Sequence, residues 1–164
     1  AADNVAFTPL WDQQRERVLI SHGYCDNGAQ AVEVLRRGSR WETKTVWTNS
    51  KLRMVHSNAV LAGPTLLGVS DTGASLAVGV DVRDGRTLFR QRHKPSNFLY
   101  GGKDQILGLD QTGRMTCATI SQKGLSAKWT QKVLDSKSWT APSVSDDHLL
   151  IRDDSSIRVF RIAG

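Results

Sequence analysis

Short runs of alternating apolar and polar residues recur along the chain, separated by clusters of Asp, Gly, Ser and Asn. Alternation with a period of two places every second side chain on one face of a strand, whereas helical spacing is weak throughout. The pattern predicts an all-β chain of short strands joined by tight turns. Met115-Thr116-Cys117-Ala118-Thr119-Ile120 is one such run, and Ile157-Arg158-Val159-Phe160-Arg161-Ile162 is another.

The strands also repeat as a group. Thr65-Leu66-Leu67-Gly68-Val69-Ser70-Asp71-Thr72-Gly73 aligns with Asp104-Gln105-Ile106-Leu107-Gly108-Leu109-Asp110-Gln111-Thr112-Gly113, and His148-Leu149-Leu150-Ile151-Arg152-Asp153-Asp154 repeats the theme. Each copy is an apolar strand entering an Asp-containing turn, where Asp and Gly accept the turn geometry. The segments before each copy match as well: Ser57-Asn58-Ala59-Val60, Ser96-Asn97-Phe98-Leu99 and Thr140-Ala141-Pro142-Ser143-Val144. Trp47, Phe89 and Trp129 stand 42 and 40 residues apart, which predicts one large aromatic per repeat, packed between neighbouring units. A period of about 40 residues built from four strands is the signature of β-propeller blades.

The expected architecture is therefore about four four-stranded antiparallel blades in a single domain over residues 1–164. The blades fall at approximately 11–49, 57–93, 96–135 and 138–164. The last contains three recognisable strands and lacks its outer one. An unpaired sheet edge is a hazard, and Asn4 to Trp11 is the candidate strand to cover it, so that residues 1–11 would close the last blade. Four blades carrying the inter-blade angle of a larger propeller leave two open faces. Two chains about a two-fold axis would bury both and complete an eight-bladed ring. A closed four-bladed monomer is the competing arrangement.

Asp81-Val82-Arg83-Asp84-Gly85-Arg86-Thr87-Leu88-Phe89 resembles the D-x-x-x-G-x-x-x-W docking signature of pyrroloquinoline-quinone-like (PQQ-like) β-propeller repeats, with Phe89 in the place of Trp. The resemblance, spanning roughly residues 17–164, implies that Asp81 caps the turn, Gly85 supplies its bend and the aromatic stacks on the adjoining blade. The dehydrogenase branch of that family uses a quinone, a calcium ion and often a ring of adjacent cysteines. This chain has no adjacent cysteines, so the quinone is not expected and no cofactor is called for. A second branch resembles the periplasmic lipoprotein scaffold of outer-membrane protein assembly, which binds partners and does no chemistry. The resemblance implies a periplasmic or secreted protein.

Composition narrows this further. The 164 residues are 39% hydrophobic and 23% charged, enough for one domain with a substantial core. A run of 18 apolar residues is absent, and the start Ala1-Ala2-Asp3-Asn4 has neither a charged nor an apolar leader region, so neither a membrane span nor a retained signal peptide is expected. The net charge of +6 is spread over 22 Lys and Arg interleaved with 16 acids, which reads as a solvated basic rim rather than a nucleic-acid interface. Cys25 and Cys117, 92 residues apart, form no metal or redox motif; a disulfide is allowed but not implied, and Cys117 reads as a small strand hydrophobe.

Propeller ligands gather where the inner strands and their loops converge. His22, Tyr24, Asp26, His56, Lys94 and Trp139 are the residues expected at one mouth of the channel. Of these, His22, Asp26 and His56 are the catalytic candidates, and Tyr24, Lys94 and Trp139 the ligand-binding ones. His22, His56 and His93 would be the ligands of a zinc or other divalent metal able to activate water. No H-x-H or H-E-x-x-H spacing, G-x-S-x-G elbow or P-loop is present. The leading expectation is a non-catalytic binding or scaffold module, a C-terminal half-propeller fragment of about four blades from a longer protein of the resembling family, that pairs with itself and with other proteins. The alternative is a metal-dependent hydrolase using the channel-mouth histidines.

Overall fold

The computed structural model describes residues 7–24, 26–70, 75–92 and 96–162. Among the described residues, fifteen strands form four successive antiparallel sheets, each a meander in chain order. Blade one comprises β1 (Leu10–Asp12), β2 (Arg17–Ser21), β3 (Ala29–Arg37) and β4 (Arg40–Asn49). Blade two comprises β5 (Val60–Ala62), β6 (Thr65–Ser70), β7 (Leu76–Asp81) and β8 (Thr87–Arg92). Blade three comprises β9 (Asn97–Gly102), β10 (Gln105–Leu109), β11 (Arg114–Ser121) and β12 (Gly124–Lys132). Blade four has three strands: β13 (Ser143–Ser145), β14 (His148–Arg152) and β15 (Ile157–Arg161). Strand β5 lies beside both β1 and β9, so the first strand of each blade is the inner one.

The alternation in the sequence becomes blade-on-blade packing. Leu19, Ala31 and Trp47 of blade one bury against Leu66, Val78 and Val80 of blade two. The opposite face of blade two supplies Leu67, Val69 and Ala77 to a second core, shared with Phe98, Ile106 and Ile120 of blade three. A smaller core joins Leu109 and Met115 to Leu149 and Ile151 of blade four, with Leu134 between them. Strands β6 and β7 are thus buried on both faces, which is why they read as nearly continuous apolar runs.

The Asp turns are built as their residue types predict. Asp110 Oδ1 accepts the amides of Thr112 at 2.8 Å and Arg114 at 2.9 Å. Asp153 Oδ1 does the same for Ser155 at 3.0 Å and Ser156 at 2.7 Å. Burial opposes the charge on Asp153, but the donated hydrogen bonds, including those from Ser136 and Ser156, win and hold its carboxyl well below the usual carboxylate range. Asp71 lies outside the described residues.

Two expectations change. Leu10 and Trp11, the end of the segment expected to close the last blade, pair with Leu19 and Val18 as the inner strand of blade one, which leaves only the residues before them for the closing role. Phe7 and Leu10 are drawn into the first core, and the turn from Asp12 to Arg17 closes a short local hairpin. Residues 1–6 lie outside the described residues. Trp129 is the second correction, because it is 46% exposed whereas Trp47 is 7% and Phe89 8% exposed. Trp47 and Phe89 each have a complete neighbouring blade to pack on. Ahead of Trp129, blade four is described only as far as its third strand and Ile162.

Candidate functional site

The blade-to-blade joints explain how the loops are held. Trp47 Nε1 donates to the carbonyl of Val82 at 2.8 Å, and Asn49 Nδ2 donates to that of Gly85 at 2.7 Å. The receiving turn between β7 and β8 is closed by the amide of Gly85 on the Asp81 carbonyl at 2.8 Å. Asp81 accepts the Arg83 guanidinium at 2.6 Å and the Arg83 amide at 3.0 Å. The Arg83 hydrogen bond outweighs the burial of Asp81 and, with the charges of Arg83 and Arg86, lowers its carboxyl pKa to about 2. Asp81 and Gly85 therefore do what the D-x-x-x-G resemblance implied. The aromatic that lies over this turn is Trp47 of the preceding blade.

Gln91 makes the equivalent clamp on blade three, donating to the Leu125 carbonyl at 3.0 Å and accepting the Leu125 amide at 2.8 Å. Around the centre, Asn58 Nδ2 donates to the Phe98 carbonyl and its Oδ1 accepts the Phe98 amide, both at 2.7 Å. Asn97 continues the chain by donating to the Trp139 carbonyl at 3.3 Å. These asparagines tie blade two to three and three to four. The repeated Ser-Asn pairs at 57–58 and 96–97 carried the signal in the sequence, but the bridging role needs the neighbouring strand to be visible.

Because strands alternate in direction, the β2–β3 and β4–β5 connections emerge at one end of the blades, here the upper rim. His22, Tyr24 and Asp26 occupy the first connection and His56 the second. The two loops are packed together: a Cβ on Gly23 would lie 2.2 Å from Val55 Cγ2, and Arg53 Nε donates to the Gly23 carbonyl at 3.0 Å. Arg53 also stands 4.0 Å from the Asp26 carboxylate. His22 is half-buried, with its amide on the Gly28 carbonyl at 3.1 Å. His56 meets Trp139 edge to face at 6.3 Å between ring centroids, and Lys137 Nζ sits 5.5 Å from the Trp139 ring.

Five of the residues expected at the channel mouth thus lie on the upper rim: His22, Tyr24, Asp26, His56 and Trp139. Lys94 and His93 lie outside the described residues. Among the described residues, no three His, Cys, Asp or Glu side chains gather as metal ligands. Tyr24 and Trp139 are more than half exposed, so the rim offers aromatic and cationic contacts to a partner. Cys117 is a buried free thiol in β11.

Consecutive antiparallel meanders with converging inner strands, locked blade to blade, define a β-propeller. No family model matches the chain, and no curated protein matches it. Among solved structures, the crystal structure of BamB from Moraxella catarrhalis is similar over 99% of this chain, with a TM-score of 0.69 and 19% identity. The chain spans 48% of the length of that protein. At this identity the likeness is one of fold.

Proposed function

We propose that this chain is a non-catalytic binding or scaffold module of the PQQ-like propeller type, in which two copies complete an eight-bladed ring. The observation that supports the reading is an outward apolar row on each of blades one and four, a surface that another blade covers; the mass measurement below decides whether that blade comes from a second copy. Leu19 and Ala31 point towards blade two, so Trp11, Val18 and Val32, which stand in one cross-strand row, point outwards. At the other end Leu149 and Ile151 point towards blade three, and Leu150, Val159 and Ile157 point outwards. Trp11 is 55%, Val159 56% and Ile157 72% exposed. Apolar rows of this kind are surfaces that proteins cover. The first row crosses three strands and the second two, and a head-to-tail pair with two-fold closure would cover both.

The upper rim, with Tyr24 and Trp139, is the surface left for other protein partners once the ring is closed. The scaffold branch of the resembling family and the BamB-like fold both favour binding over chemistry. Light scattering tests the assembly: a mass twice 18.1 kDa is expected, reduced to 18.1 kDa by Val159→Lys. A wild-type mass of 18.1 kDa overturns the ring. Ester or phosphoester hydrolysis that a chelator abolishes overturns the non-catalytic reading.

A further inference from the structure

The hairpin of β3 and β4 does not end where its counterparts end. In blade two, a single strand pair, Val80 with Thr87, follows the bulge next to Phe89 before the chain turns. In blade one, pairing after the matching bulge next to Trp47 continues from Val32 with Thr45 through to Arg37 with Arg40. In blade three, four pairs follow the matching bulge, from Ala118 with Ala127 to Ser121 with Gly124, so the blade-one hairpin is the longer by two pairs, roughly 7 Å at about 3.3 Å per residue. Every residue from Val34 to Thr45 is exposed. The corresponding hairpin of blade three is clamped by Gln91 at Leu125.

Strand β4 is the outer strand of its sheet, so among the described residues one side of its backbone has no neighbouring strand. Its two faces differ. Trp41, 67% exposed, is paired with Arg36, whose guanidinium lies 5.7 Å from the indole centroid. Val34 shares that face, two residues along from Arg36. The other face carries Arg40, Glu42 and Lys44. Glu42 is already held by Arg37 at 3.0 Å, whereas among the described residues neither Arg40 nor Lys44 has an ion-pair partner.

We propose that this arm is a docking edge for an extended, acidic segment of a partner protein, which adds as a strand beside β4. Its backbone takes up the open edge hydrogen bonds. Two carboxylates four residues apart lie beside Arg40 and Lys44, a neutral residue lies beside the satisfied Glu42, and the intervening apolar side chains lie beside Trp41 and Thr43, with Val34 one strand further in. Main-chain pairing supplies affinity and the alternating pockets supply specificity. The arrangement favours a peptide over a lipid surface, because the tip of the arm, Arg37-Gly38-Ser39-Arg40, is polar and offers no side chain to insert. The inference rests on the binding-module reading, and it concerns an edge that ring closure leaves open.

The test is fluorescence anisotropy with a labelled ten-residue peptide centred on Glu-Val-Thr-Val-Glu, against a scrambled peptide of the same composition. The patterned peptide is expected to bind at least tenfold more tightly, and more weakly as salt rises. R40E/K44E should cost tenfold or more, and N-methylation of alternate peptide amides a similar factor. W41A should cost a few-fold. K123E/K128E, in the hairpin of β11 and β12, should change nothing, and circular dichroism checks that each variant keeps its strands. Equal binding of the scrambled peptide, insensitivity to R40E/K44E, equal loss in K123E/K128E, or binding only to anionic phosphatidylglycerol vesicles would each overturn the proposal. Unaltered peptide binding in R40E/K44E together with a doubled mass sinks the arm and leaves the ring standing. A mass of 18.1 kDa with pattern-specific peptide binding does the reverse.

Discussion

The indole of Trp47 lies directly over Gly85 in the next blade, so closely that a Cβ on Gly85 would fall 2.7 Å from the ring. Gly85 also has φ of +77°, which side-chain-bearing residues rarely adopt. The joint therefore depends on two residues 38 positions apart that fit only each other's shape.

Gly85→Ala combines backbone strain with overlap on the Trp47 ring and should destabilise the protein by about 3 kcal/mol in urea unfolding. Trp47→Phe keeps most of the buried area but loses the bond to Val82, and about 1 kcal/mol is expected. Trp47→Ala should cost about 4 kcal/mol. A Gly85→Ala effect below that of Trp47→Phe would show that the turn moves freely away from the ring.

Asp81 gives the joint a pH dependence. Its folded pKa of about 2 lies below the unfolded value, so its stabilisation is complete above pH ~4 and is lost as pH falls through 2. Screened by the exposed Arg83, the effect is about 1 kcal/mol. Unfolding free energies from pH 5 to pH 2 should fall less steeply for Asp81→Asn than for the parent, and parallel curves would refute the assignment.

Asn58→Ala removes two hydrogen bonds to the main chain of Phe98, one in each direction. A loss of about 2 kcal/mol is expected, whereas Asn97→Ala, which removes two longer bonds of 3.3 Å, to the Trp139 carbonyl and from the Asn58 amide, should lose less. Hydrogen exchange should report the Asn58→Ala change in the strands of blades two and three rather than in β2.

Removing residues 1–9 deletes Phe7 and the approach to β1, and should lower the melting temperature by several degrees through the first core. Protection of the β2 amides should fall with it. If instead β15 alone lost protection, the segment would be closing the last blade after all.

Much of this architecture was legible in the chain. Strands β6, β10 and β14 were readable because each is a short apolar run leading into an Asp-containing segment, and both the run and the Asp are local properties of the sequence. Gly85 was readable for the same reason. The inner strand β1 was not, because three residues carry too little pattern to identify a strand without its partner. On the upper rim, the loops of His22, Tyr24 and His56 were recognisable as loops. That Gly23 seats against Val55, and that His56 faces Trp139 across blade three, arises from packing between segments far apart in sequence.

The sequence by itself determined the repeat, its strands and its turns, because alternation and Asp or Gly chemistry act over a few residues. Only the tertiary structure decided which aromatic is buried. Trp47 and Trp129 are both tryptophans near the middle of a fourth strand, and they differ in whether a turn from the next blade comes to lie over them. It also decided that the hairpin of β3 and β4 projects as an arm, since its length beyond the blade is measured against neighbours that the sequence does not place beside it.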